Sequence, residues 1–128
     1  MIRKILIVDD SPVARKMLKN SIPKNMGYEI FEATDGQDGI KKFQMLKPDV
    51  VFMDLTMPGV DGYTALEEIR RIHKNAVVIV TTADVQPKSI SNVMERGAFT
   101  LLKKPAKANI IEDALNKAEL AMKENKGE

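Results

Sequence analysis

The sequence predicts an α/β fold, a doubly wound parallel sheet of five strands with five helices. Three observations predict it. Ile5-Leu6-Ile7-Val8 and Val77-Val78-Ile79-Val80 are short, apolar and mostly β-branched, as strands buried on both faces are. Each strand-like run is followed by apolar residues at three- and four-residue spacing, so strand and helix alternate five times. The first, third, fourth and fifth strands lead into polar or charged residues, namely Asp9-Asp10, Asp54, Thr82 and Lys104. Repeated βα units require right-handed crossovers, which put helices on both sides of a parallel sheet. Ligands then bind beyond the carboxyl ends of the strands, where strand order reverses.

The elements follow in order. Asp9-Asp10 closes the first strand, Ser11 caps the first helix and Pro12 takes its first position. Ala14, Met17, Leu18 and Ile22 mark its buried face, and Pro23 and Gly27 end it. Tyr28 to Glu32 alternates weakly, as a strand near an edge does. Asp35-Gly36 starts a second helix with Ile40, Phe43 and Leu46/Lys47 inward, which Pro48 breaks. Asp49 to Asp54 supplies the third strand, with a Met57-Pro58-Gly59 turn after it. Asp61 caps a third helix with Ala65, Leu66, Ile69 and Ile72 inward. After the fourth strand, Pro87 opens a helix containing Ile90, Val93 and Met94, with Gly97 at its end. Phe99 to Leu102 is the last strand. The final helix carries Ile111, Ala114, Leu115, Ala118 and Met122, and its polar end, Lys123 to Glu128, is expected to fray.

A length of 128 residues fits one domain, which can bury roughly 65–70% of its unfolded surface without metal or disulfide. The absence of cysteine excludes thiol chemistry and Cys-ligated metals, and fits a reducing, cytoplasmic setting. With 20 basic and 18 acidic residues, the net charge of +2 does not point to direct nucleic-acid binding. No window approaches the roughly 20 apolar residues of a membrane span. Arg3-Lys4 precedes too short an apolar run for a signal peptide.

Asp9, Asp10 and Asp54 form a candidate acidic cluster. Two carboxylates roughly 5 Å apart repel by about 3 kcal/mol at an effective dielectric near 20, so the cluster needs a cation or a raised pKa. Without cysteine, and with the lone His73 on the third helix, an all-oxygen site suits a hard cation such as Mg²⁺. Capping of the first helix is the other reading of Asp9-Asp10. Lys104, directly before Pro105, can neutralise carboxylates or hold a phosphate oxygen, and a surface salt bridge is its plainer role. A carboxylate nucleophile, a divalent cation, a lysine and a hydroxyl are what phosphoryl transfer to an aspartate requires.

Four motifs stand in order: Val8-Asp9-Asp10-Ser11; Met53-Asp54-Leu55-Thr56-Met57-Pro58 with Asp61-Gly62; Thr82-Ala83; and Lys104-Pro105. From Asp10 through Asp54 and Thr82 to Lys104 the spacings are 44, 28 and 22 residues. With these, residues 2–123 resemble the receiver domain of two-component response regulators, in its stand-alone, chemotaxis-regulator-like form. The resemblance implies a single receiver domain over residues 1–128, a flavodoxin-like sheet of order 2-1-3-4-5 and a phosphorylation-activated signalling switch. It implies that Asp54 accepts a phosphoryl group from a histidine kinase or phosphotransfer protein. Asp10, Asp54 and the Thr56 carbonyl would ligate Mg²⁺, with Asp9 helping through water. Thr82, chosen over Thr81 because Thr-Ala is the family dipeptide, and Lys104 would grip the phosphoryl oxygens, and the Lys104–Pro105 bond would be cis. The domain would assist its own phosphorylation and dephosphorylation without being an enzyme. Thr56 and Asp84, two beyond Asp54 and Thr82, would tune phosphoryl lifetime. Output would pass to a partner protein through the fourth helix, fifth strand and fifth helix.

Leu101 departs from the pattern. The family usually has Tyr or Phe there, three residues before the lysine, and its ring reports phosphorylation on the output face. A phosphatase of the haloacid-dehalogenase type would need an acid–base aspartate where Thr56 stands. A flavin or nucleotide binder would need a glycine-rich loop after the first strand, where this chain has paired aspartates. The remaining rival is a receiver-fold adaptor that binds without phosphorylation.

Overall fold

The computed structural model describes residues 1–57, 59 and 61–126. Five strands, β1 (Lys4–Val8), β2 (Glu29–Ala33), β3 (Val50–Asp54), β4 (Val77–Thr82) and β5 (Thr100–Lys103), alternate with five helices. These are α1 (Pro12–Ser21), α2 (Gly36–Leu46), α3 (Gly62–Ile72), α4 (Pro87–Glu95) and α5 (Ala108–Lys126). All strand pairs are parallel, in the order β2-β1-β3-β4-β5. The expected α/β fold is the observed one.

Side-chain alternation along the strands builds two cores, one on each face of the sheet. Leu6, Val8, Val51, Met53, Val78 and Val80 pack with residues of α2, α3 and α4, among them Phe43, Leu66, Ile69 and Val93. Ile5, Ile7, Val50, Phe52, Val77 and Ile79 face the other way, against Ile111, Ala114, Leu115 and Ala118 of α5 and Ile22 beyond α1. The central strands β3 and β4 are buried throughout, which is why their sequences are nearly unbroken apolar runs.

Helix starts follow from local capping. Ser11, Asp35 and Asp61 each accept a hydrogen bond from the backbone N–H three residues on, at 3.1, 2.7 and 2.8 Å. Each such cap contributes about 1 kcal/mol. Gly62 brings the start of α3 against the end of β3, and its N–H donates to the Leu55 carbonyl at 3.1 Å. A Cβ on Gly62 would collide with the Asp54 carbonyl oxygen, so only glycine allows this approach.

Several helix faces are thinner than periodicity suggests. No residue of α1 is fully buried, and Met17 is 52% exposed. The longer α5 shares that face of the sheet and fills most of it. Ile72, Ile90 and Met94 are also exposed, at the rims of α3 and α4. Lys47 is not inward but exposed, in the left-handed conformation that ends α2 (φ 49°). Gly97 follows the Arg96 cap of α4 with φ 101°. The strand expected from Tyr28 begins at Glu29, and that expected from Phe99 begins at Thr100. α5 ends at Lys126, within the stretch Lys123 to Glu128 expected to fray, while Gly127 and Glu128 lie outside the described residues, as does Pro58 of the expected turn.

Candidate functional site

The carboxyl ends of β1, β3 and β4, with the residue after β5, converge at one end of the sheet. Register decides which side chains meet there. Asp54 pairs with Thr81, and Val8 pairs with Met53. Asp9 therefore lies level with Asp54, and both are almost fully buried, at 5% and 6% exposure. Asp10 is exposed beside them. One carboxylate oxygen from each of Asp9, Asp10 and Asp54 lies within 4.8 Å of the others. Thr56 is exposed, two residues beyond Asp54.

Lys104 is the counter-charge. Its Nζ donates to Asp9 Oδ2 at 2.7 Å and lies 3.2 Å from Asp54 Oδ1. Its backbone N–H donates to the Thr82 carbonyl at 2.8 Å, which carries the sheet ladder one residue past β5. The Lys104–Pro105 peptide is cis. The second Asp9 oxygen accepts from the Ser11 N–H at 2.9 Å. Asp9 thus touches the start of the first helix, the plainer reading of the acidic pair, while also pairing with Lys104.

The electrostatics follow from these distances. Burial pushes the Asp54 carboxyl above its usual range and the Asp9 charge adds to this, against the opposing pull of Lys104 and a main-chain hydrogen bond from Thr56. Burial alone would depress the Lys104 ammonium, but its hydrogen bond to Asp9 and the charges of Asp54 and Asp9 outweigh that and raise it. Lys104 is therefore a fixed positive charge, whereas Asp54 is a carboxylate held at a cost. Three carboxylates against one ammonium leave negative charge uncompensated. An all-oxygen donor set of this size and charge suits a hard divalent cation such as Mg²⁺.

The two threonines differ in what they face. Both are buried. Thr81 lines a cavity of about 90 Å³ with Asp9, Lys104, Pro105 and residues of α1. Thr82 lies one position on, and its Oγ1 accepts from the Asp84 N–H at 3.1 Å. Asp84 in turn accepts from Ser89 Oγ at 2.6 Å and from the Gln86 N–H at 3.1 Å, which holds its carboxyl below the usual range. Leu101 pairs with Val80 and packs against the core on the α2–α4 face. His73 caps the end of α3, with its Nδ1 accepting from the Asn75 N–H, away from the acidic cluster.

Comparison with known sequences decides the family. Residues 5–116 match the sequence profile described as the response regulator receiver domain. The chain belongs to that family. It is 42% identical over 116 residues to the chemotaxis protein CheY of Thermotoga maritima, covering 90% of this chain and 96% of that one. It is 39% identical over 118 residues to CheY of Bacillus subtilis, covering 91% and 98%. Among solved structures it is similar to the CheX–CheY–BeF₃–Mg²⁺ complex of Borrelia burgdorferi, at 31% identity and a TM-score of 0.82 over 88% of this chain and 86% of that one. It is also similar to CheY4 of Vibrio cholerae, at 27% identity and a TM-score of 0.83 over 92% and 99%. The chain is therefore a receiver domain of CheY type. No described helix is long and apolar enough to cross a membrane.

Two contacts at the site lie beyond what the motifs indicate. Thr81, the neighbour of the expected Thr82, shares the cavity with Asp9 and Lys104. Asp54 and Thr81 are register partners, a relation set by strand pairing and not by either strand's own pattern. Arg15, with no motif to mark it, donates to the Asp9 carbonyl oxygen at 2.7 Å.

Proposed function

We propose that this receiver, as one unit over residues 1–128, is a phosphorylation-activated signalling switch with Asp54 as phosphoacceptor. The observation that carries the reading is a buried carboxylate at a strand end, 3.2 Å from a lysine ammonium and with oxygens of two further carboxylates within 4.8 Å. A histidine kinase or phosphotransfer protein is the proposed donor, met in the cytoplasm. An Asp54 oxygen forms a bond to phosphorus while the nitrogen–phosphorus bond of the donor phosphohistidine breaks. The imidazole nitrogen leaves with the bonding electrons.

Lys104 neutralises charge on the phosphoryl oxygens as it now neutralises Asp9 and Asp54. Thr82 Oγ1 accepts from Asp84, which leaves its own proton to donate to a phosphoryl oxygen. Asp10, Asp54 and the Thr56 carbonyl, with Asp9 assisting, would hold Mg²⁺, which when bound supplies positive charge opposite the same oxygens. The protein assists its own labelling and release but turns over no external substrate. Output passes to a partner protein across α4, β5 and α5, with no direct nucleic-acid contact.

The rival reading is a receiver-fold adaptor that binds without phosphorylation, and the presence of all five chemical positions, Asp9, Asp10, Asp54, Thr82 and Lys104, argues against it. Beryllofluoride, which the Borrelia burgdorferi complex contains together with Mg²⁺, separates the two. With Mg²⁺ it should shift amide resonances around Asp54, Thr82 and Lys104 in wild type and not in Asp54→Ala. Unshifted wild-type spectra favour the adaptor.

A further inference from the structure

Arg15, one turn into α1, has no part in the acceptor chemistry above, yet its side chain is only 14% exposed. Its Nη1 donates to the main-chain carbonyl oxygen of Asp9 at 2.7 Å, and its Nε donates to Glu32 Oε1 on β2 at 2.9 Å. The Asp9 carbonyl belongs to the peptide that joins Asp9 to Asp10. That unit is planar, so anchoring its oxygen fixes the direction in which the chain enters Asp10. The Asp9 carboxylate has its own partners in Ser11 and Lys104. The Asp10 side chain is exposed, so its aim depends on the main chain beneath it.

We propose that Arg15 is a positioning residue for the divalent-cation site: it anchors the Asp9–Asp10 peptide so that the Asp10 carboxylate converges with that of Asp54. Glu32 on β2 fixes the guanidinium, so the orientation of an acidic ligand traces back through α1 to an edge strand. The proposal rests on the Mg²⁺ reading above. Groups that orient metal ligands commonly govern affinity by about 10–100-fold.

Charge and orientation make opposite predictions. Arg15 is a cation near three carboxylates, so removing its charge would by electrostatics alone strengthen Mg²⁺ binding. Removing the anchor weakens it. The test is the Mg²⁺ dissociation constant of the unphosphorylated protein, read by amide-resonance titration alongside thermal melting for wild type, Arg15→Met and Arg15→Lys. Arg15→Met should bind Mg²⁺ about 10-fold more weakly despite its lost positive charge. Arg15→Lys keeps the charge but has one point donor in place of a fork, and should bind more weakly than wild type by a smaller factor. Arg15→Met binding within twofold of wild type, or more tightly, overturns the proposal even if its melting temperature falls. If Arg15→Met does not fold, Arg15→Lys decides: weaker binding supports the anchor, and unchanged binding overturns it. A wild-type protein that does not bind Mg²⁺ overturns both this proposal and the metal reading beneath it, whereas normal wild-type binding with unaffected Arg15 variants overturns this one alone.

Discussion

Lys104 Nζ reaches Asp9 Oδ2 at 2.7 Å, although β5 and β1 are separated in the sheet by β3 and β4. The lysine therefore spans the end of the sheet and lies over Asp54, which terminates one of the strands between. This bridge predicts opposite effects on folding and metal binding. Lys104→Met leaves Asp9 and Asp54 facing each other without a counter-ion. Breaking a fully buried pair costs about 3–5 kcal/mol, and a partly exposed lysine should cost less, about 2 kcal/mol. In Mg²⁺-free buffer the variant should melt below wild type, and Mg²⁺ should bind it more tightly while phosphorylation slows. Thermal melts with and without Mg²⁺ check this, and equal melting temperatures would contradict it.

Asp54 should be a liability to the fold until it is used. Its carboxyl is raised, so the folded state holds a proton to higher pH than the unfolded state does. Stability contributed by the protonated form is present below the unfolded carboxylate pKa and is lost as pH rises through the folded value. At pH 7 without Mg²⁺, Asp54→Asn should therefore melt above wild type, and the difference should shrink as pH falls towards about 4, the ordinary carboxylate range. A variant less stable than wild type at pH 7 would show that the Lys104 contact outweighs burial.

Much of this geometry is legible in the residues. Apolar runs ending on Asp9, Asp54 and Thr82 are sufficient to put these side chains at one end of a parallel sheet. Ser11, Asp35 and Asp61 announce their helices because capping is a local bond. Strand order rests on family likeness, since each strand's pattern is silent about its neighbour. The depth of burial on α1 could not be read from periodicity, which names an inward face without saying how far α5 already fills it. Arg15 was invisible for a related reason. Its partners, the Asp9 carbonyl and Glu32, are joined to it only by tertiary structure.

Phosphoryl lifetime should respond to Thr56 and Asp84. Both are exposed, and Asp84 also holds Thr82 through its backbone N–H. Thr56→Ala and Asp84→Ala should change the rate of dephosphorylation while leaving Asp54 labelled, as followed by loss of radiolabelled phosphate. Abolished labelling in Thr56→Ala would count against this division of roles.

Leu101 should alter the readout and spare the chemistry. It packs on the α2–α4 face beside Val80, where a flexible side chain presents neither ring nor hydroxyl. On binding beryllofluoride and Mg²⁺, Leu101→Tyr should show amide shifts across α4, β5 and α5 that differ from wild type, with similar shifts near Asp54. The same pattern in both proteins would remove any special role for Leu101.

The central claim is that Asp54 becomes an aspartyl phosphate. Incubation with Mg²⁺ and acetyl phosphate, followed by intact mass measurement, tests it most directly. Wild type should gain the mass of one phosphoryl group, and Asp54→Ala should gain none. No gain in wild type, or an equal gain in Asp54→Ala, would contradict the account.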